Sequence, residues 1–187
     1  MSYFSLNELK SVPNVDQLNA TRKSLDNRHT IFLSHSHKDR DIIEKVIGFL
    51  LLLGNYVYVD WLDPDMPQTT SGETATKLKA KINECEKFVV LFTENSKESK
   101  WVPWELGYAD AVKPIENIAI FPLKRNPYTN DSYFSGLEYF ELYPIIKEGF
   151  IDGKSYYSIF PPDRINRTGS DNGKKLGSWL NIKRGIF

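Results

Sequence analysis

The chain has 187 residues, of which 41% are hydrophobic, 13% aromatic and 26% charged, enough for one domain with a substantial core and short extensions. Lys+Arg and Asp+Glu each number 24, so it lacks the global field of a non-specific nucleic-acid binder or a polybasic membrane protein. The single cysteine, Cys85, excludes an internal disulfide framework and a multi-cysteine zinc site. The first residues have no apolar core behind a basic front, and the greasiest run, Ile42–Leu53, is broken by Glu44, Lys45 and Gly48. Neither a secretory signal nor a membrane span is expected, and the expected address is the cytoplasm.

Residues 1–28 are polar with scattered apolar positions (Leu6, Leu9, Val12, Val15, Leu18) and read as an N-terminal arm. Ile31–Leu33 reads as a buried strand, followed by the polar loop Ser34–Lys38. Ile42, Ile43, Val46, Ile47, Leu50 and Leu53 recur at helical spacing, predicting a helix over 39–53 that Gly54 stops. Tyr56–Asp60 reads as strand and Trp61–Gly72 as a long loop. Ala75, Leu78, Ile82 and Cys85 mark a second helix, and Phe88–Phe92 a third strand. After the polar loop Thr93–Lys100, a third helix runs over Trp101–Val112, with Pro103 tolerated in its first turn. Ile118–Phe121 is a fourth strand, and Tyr139–Leu142 reads as a short edge strand. From Pro161 to Phe187 no period emerges, and Lys174, Lys175, Lys183 and Arg184 read as a solvated surface. Alternating strands and helices predict an α/β fold, a mostly parallel sheet covered on both faces. Ligands then bind at the carboxyl ends of the strands, in the segments Ser34–Asp39, Asp60–Gly72 and Thr93–Glu105.

GxGxxG after the first strand, GxxxxGK[ST], GxSxG and HExxH are all absent, which argues against common phosphate cradles, the usual hydrolase nucleophile and zinc proteolysis. His29, His35 and His37 cluster near Asp39, but alternate residues past a strand do not supply a ligand geometry, so no metal is expected. Ser36 or Asp39 can simply cap the next helix. Taken alone, Trp101 and Trp104 are packing residues, and Glu105 is a carboxylate favoured in a first helical turn.

Together the segments carry more. Ile31-Phe-Leu-Ser-His-Ser-His-Lys-Asp39, Val57-Tyr-Val-Asp60, Phe88–Phe92 and Trp101-x-x-x-Glu105 occur in the order and spacing of a TIR (Toll/interleukin-1 receptor) domain. The first segment resembles the first TIR box, the second leads into the counterpart of the BB loop (Trp61–Gly72), and WxxxE resembles the helix carrying the catalytic glutamate of enzymatic TIRs. Pro103 and Trp104 replace the small or polar residues often found within that motif. The SHSHKD version is similar to stand-alone bacterial TIR proteins, including the TIR component of Thoeris antiphage systems. The resemblance covers roughly residues 29–147, leaving the arm 1–28 and a C-terminal extension 148–187 packed on or trailing the domain. It implies a flavodoxin-like fold with about five strands.

The resemblance further implies cleavage of the nicotinamide–ribose bond of NAD, a substrate and not a cofactor, yielding an ADP-ribose-derived signal, cyclic or conjugated. Nicotinamide leaves as a neutral ring, so one carboxylate can suffice where most glycosidases use two. Glu105 would stabilise the ribosyl oxocarbenium; at about 4 Å and a dielectric near 20 the attraction is roughly 4 kcal/mol before desolvation. Ser34, His35 and Ser36 can donate to ribose or phosphate, or merely cap the loop. Asp60 and Trp61 begin the BB-like loop, where Asp60 can hold a ribose hydroxyl or cap a turn. Trp101 can stack on the cationic ring, pack beneath Glu105 or anchor the helix. Implied partners are further copies of the chain, with the BB loop closing a neighbour's site, and a separately encoded effector that senses the product. The other two readings are a non-enzymatic TIR adaptor, using an exposed Asp63, Asp65 and Met66, and a nucleoside hydrolase or deoxyribosyltransferase-like enzyme.

Overall fold

Short runs rich in β-branched and aromatic residues cannot bury both faces alone, so they pair into a sheet and wait for helices to cover them. The computed structural model describes residues 3–10, 31–67, 71–134, 140–151, 154–162 and 173–180. The strands are β1 (Phe4–Ser5), β2 (Ile31–Ser34), β3 (Val57–Tyr58), β4 (Lys87–Phe92), β5 (Ile118–Lys124), β6 (Ile145–Ile151), β7 (Lys154–Phe160) and β8 (Lys174–Lys175). The helices are α1 (Arg40–Leu52), α2 (Gly72–Glu84), α3 (Trp101–Val112) and α4 (Leu176–Leu180).

The sheet order is β3-β2-β4-β5-β6-β7-β8, with β1 added beside β5. Pairs from β3 through β6, and β1 with β5, are parallel; β6–β7 and β7–β8 are antiparallel. The chain leaves β2 to reach β3 on one side and then returns to β4 on the other. This reversal opens a crevice at the carboxyl end of β2, where open α/β sheets take ligands.

The period-two alternation of the strands separates two cores. Ile31, Leu33, Val89, Leu91, Ala119 and Phe121 face α1, meeting its buried stripe of Ile42, Ile43, Val46, Ile47 and Leu50. Leu176, Trp179 and Leu180 of α4 join this same layer. Phe32, Phe88, Val90, Phe92, Ile118 and Ile120 point the other way, onto Leu78 and Ile82 of α2 and Val102, Leu106 and Ala109 of α3. Because both faces are covered, the central strands read as near-continuous apolar runs.

The helix ends follow local chemistry. Gly54, with φ of 91°, closes the turn after α1 in a backbone conformation that side chains with a Cβ rarely adopt. At the start of α2, Ser71 Oγ accepts from Thr74 N and Thr74 Oγ1 accepts from Ser71 N, a reciprocal cap. Pro103 occupies the third position of α3, where its missing N–H is no loss.

Three expectations change. The strand expected over Tyr56–Asp60 shrinks to Val57–Tyr58, because β3 is an edge with β2 as its one neighbour and the chain turns away at Asp60 in a 3-10 turn, Asp60–Leu62. The edge strand expected at Tyr139–Leu142 is instead a 3-10 turn at Phe140–Leu142, Tyr139 lying outside the described residues. The true strand there is β6, whose Lys147, Glu148 and Gly149 break the apolar run yet pair with β7 in a half-solvated hairpin. Among the described residues the sheet therefore has eight strands and runs on past residue 147.

Candidate active site

The crevice is built from the loops that follow β2, β3 and β4. Ser34 ends β2, and its hydroxyl crosses to α3, donating to Glu105 Oε2 at 2.5 Å. Both are buried, Ser34 at 1% and Glu105 at 5% exposure. α3 begins at Trp101, so Glu105 falls one turn further along and faces back to the sheet beside Val102 and Leu106. Burial pushes the Glu105 carboxyl from its ordinary 4.5 up to about 8, with the Ser34 hydrogen bond opposing and the negative charge of Asp60 adding to the rise. Among the described residues Glu105 has no ion pair.

His35 is also buried, and both ring nitrogens are engaged. Nδ1 lies 3.1 Å from the Leu33 carbonyl, and Nε2 accepts from the indole Nε1 of Trp61 at 3.0 Å. An acceptor at Nε2 and a carbonyl at Nδ1 require the neutral ring with its proton on Nδ1. Burial lowers the His35 pKa in the same sense, while Asp60 opposes it. His35 is thus a strut that orients Trp61 rather than a free donor. Ser36 accepts from Lys38 N at 3.4 Å and caps the 3-10 turn His37–Asp39, the local capping role.

A cavity of about 580 Å³ opens beside this cluster, within the range of small-molecule sites. Asp60, Trp61 and Trp101 line it, as do Arg40, His37 and Leu78. Ser34, His35, Ser36 and Glu105 stand outside its lining. Glu105 is thus tied to Ser34 and feels the charge of Asp60, Asp60 and Trp101 share the cavity wall, His35 takes a positioning role and Ser36 a capping role. Trp101 meets Trp104 edge-on with ring centroids 5.3 Å apart, and Trp104 in turn stacks on Tyr108. Trp101 therefore serves as helix anchor and cavity wall together.

The loop after β3 is anchored. Asp63 accepts from the Tyr58 hydroxyl at 2.8 Å and from Asp65 N at 3.0 Å, while Lys77 donates to the Asp65 carbonyl. Asp65 is exposed, but Asp63 and Met66 are partly buried, Met66 against the α2–α3 core. This corrects the expectation that all three are free surface. Gln68, Thr69 and Thr70 of this loop lie outside the described residues.

Sequence reasoning missed Arg40 and His37 as cavity residues; their one signal is position, in the first loop beyond a switch-point strand. Asp39 stands at the N-cap position of α1, but its side chain makes no capping hydrogen bond. Among the described residues no group of three His, Cys, Asp or Glu can hold a metal ion, and His29 lies outside them. The rings of His35 and His37 are 6.3 Å apart and inclined by 66°. Among the described residues no helix is long and apolar enough to cross a membrane.

A doubly wound, mostly parallel sheet with a buried glutamate one turn into α3, beside the strand that reverses the topology, is the arrangement of a TIR domain. The TIR domain family matches residues 31–150, and the chain belongs to it. It is similar, at 37% identity over 134 residues, to a Bacillus cereus (strain MSX-D12) protein named "Probable 3′ cyclic ADP-D-ribose synthase ThsB′", covering 71% of this chain and 67% of that one. A Cytobacillus dafuensis protein named "Putative cyclic ADP-D-ribose synthase TIR2" is 32% identical over 111 residues, 58% of this chain but 28% of its own length.

Proposed function

We propose that this chain cleaves the nicotinamide–ribose bond of NAD and closes the ADP-ribosyl unit on itself, making a cyclic ADP-ribose signal in bacterial antiphage defence. The observation that carries this is the Glu105 carboxylate, buried without an ion pair among the described residues behind a cavity walled by Trp101 and Asp60. The product class is supported by the names of the two relatives, each of which contains "cyclic ADP-D-ribose synthase".

An uncompensated buried carboxylate is costly unless a cation arrives. The nicotinamide ring of NAD is that cation, and its approach favours the ionised form of Glu105. As the glycosidic bond breaks, nicotinamide departs with the bonding electron pair as a neutral ring, and the positive charge moves to the ribose. Glu105, buried behind the cavity wall, then stabilises the oxocarbenium through the protein interior, where electrostatic stabilisation is strongest. Ser34, donating to Oε2, fixes which oxygen is presented and keeps the carboxylate from rotating. Asp60, on the cavity wall, takes a ribose hydroxyl in this reading. Capture of the oxocarbenium by a hydroxyl or adenine nitrogen of the same molecule gives the cycle and releases one proton.

No cofactor is needed for this chemistry, NAD being the substrate. Self-association through the loop after β3, a separately encoded effector that senses the product, and a cytoplasmic setting belong to the same proposal. The test is nicotinamide release from NAD by the purified chain and by Glu105→Ala, with mass analysis of the other product. The expected result is release that falls at least a hundredfold in the variant, roughly 3 kcal/mol of transition-state stabilisation, with a product mass equal to ADP-ribose less one water. A folded Glu105→Ala that still turns over would overturn the assignment.

A further inference from the structure

We propose that Arg40 is the anchor for the diphosphate of the dinucleotide, held ready by an indole that is itself held by His35. This assignment rests on the NAD reading and extends it from the ribose to the diphosphate.

Arg40 opens α1 immediately after the 3-10 turn of the first loop, exposed, with its guanidinium carbon 5.3 Å from the centre of the Trp61 ring. Among the residues lining the cavity it is the one permanent cation. By contrast, Lys38 pairs with Glu98, Lys77 with Glu73, and Arg125 with Asp39 and Asp41. Arg40 has no carboxylate partner among the described residues; its one contact of note is the face of Trp61. Trp61 in turn is fixed by its hydrogen bond to His35 Nε2. A guanidinium stacked on a fixed ring gives up little freedom on binding, and its planar fork matches two phosphate oxygens at once. With the ribose at Asp60, the residue before Trp61, the diphosphate attached to that ribose comes to Arg40 and His37, which line the same cavity.

The test uses the full chain and reads binding as well as turnover. ADP and adenosine, which differ by the diphosphate alone, are titrated calorimetrically into the wild type, Arg40→Ala, Arg40→Gln and Arg40→Lys. The expected result is ADP binding weakened tenfold or more in Arg40→Ala and Arg40→Gln and partly restored in Arg40→Lys, with adenosine binding changed less than threefold. In NAD turnover the same two variants should raise KM at least tenfold, the larger share of the loss falling on KM rather than kcat. ADP binding within threefold of wild type in either folded variant, a parallel loss of adenosine, or no ADP binding to the wild type each overturns the anchor. A wild type that binds ADP through Arg40 but releases no nicotinamide leaves the anchor standing and sinks the NAD-cleavage reading instead.

Discussion

Two buried carboxylates lie at the carboxyl ends of the strands, and their surroundings are opposite. Asp39, with 0% exposure, accepts from Thr93 Oγ1 at 2.6 Å, from Asn95 Nδ2 at 2.7 Å and from Arg125 Nη1 at 3.1 Å. Arg125 also forks onto Asp41, so the first loop, the loop after β4 and the end of β5 are tied through one guanidinium. Glu105, at 5% exposure, has Ser34 and no cation among the described residues. The difference separates structure from chemistry: a charge that holds loops together is saturated by donors, whereas one that must meet a developing cation is left uncompensated.

The sharpest way to break that contrast is to remove each charge in turn. Glu105→Gln keeps the shape and the acceptor for Ser34, so it should abolish nicotinamide release while raising stability. A folded-state pKa lifted from 4.5 to about 8 means the fold favours the protonated acid. That contribution is fully present below 4.5, is lost progressively as pH rises toward 8, and bounds the ionisation cost at about 5 kcal/mol. Denaturation midpoints should therefore show Glu105→Gln more stable than wild type at pH 8 and matched at pH 4.5. An unchanged gap across that range would mean the carboxylate is already compensated.

Asp39→Ala should act the other way. It leaves Thr93 and Asn95 without their buried acceptor while Arg125 keeps Asp41, and donors left unsatisfied in this way cost together about 3 kcal/mol. For a chain of this size that is a fall in Tm of roughly 6–12 °C. Turnover by the folded fraction should suffer far less than in Glu105→Gln. If the two variants lost activity equally and Tm held, the division of labour between the carboxylates would be wrong.

The same contrast explains what could be read from the sequence. The central strands and α1–α3 were legible because Ile31–Leu33, Phe88–Phe92 and the stripe from Ile42 to Leu50 are buried on both faces or on one long face, where hydrophobic period and burial coincide. β6 was not, because Lys147 and Glu148 lie on a hairpin whose pairing, not its hydrophobicity, makes it a strand. Glu105, Ser34, Asp60 and Trp101 were legible as a set through box order. The bond between Ser34 and Glu105 spans 71 positions, and nothing local announces it. Arg40 reads locally as an ordinary residue of an amphipathic helix, and its place in the cavity follows from the crossover between β2 and β3. His35 reads as a donor until Trp61 is seen to occupy its second nitrogen.

The finest test addresses the electrostatics directly. Since the ionised Glu105 is the form that stabilises an oxocarbenium, kcat/KM for NAD should rise with pH along a limb centred near 8, the value of the free enzyme. Ser34→Ala removes the hydrogen bond that favours the anion, so the limb should move to higher pH. Asp60→Asn removes a negative charge that disfavours it, so the limb should move to lower pH. Both substitutions also touch substrate contacts, which lowers the plateau; the midpoint, not the plateau, carries the information. Movement of both midpoints in the same direction would show that the limb belongs to another group, and with it the idea of a carboxylate kept uncompensated for its substrate would fall.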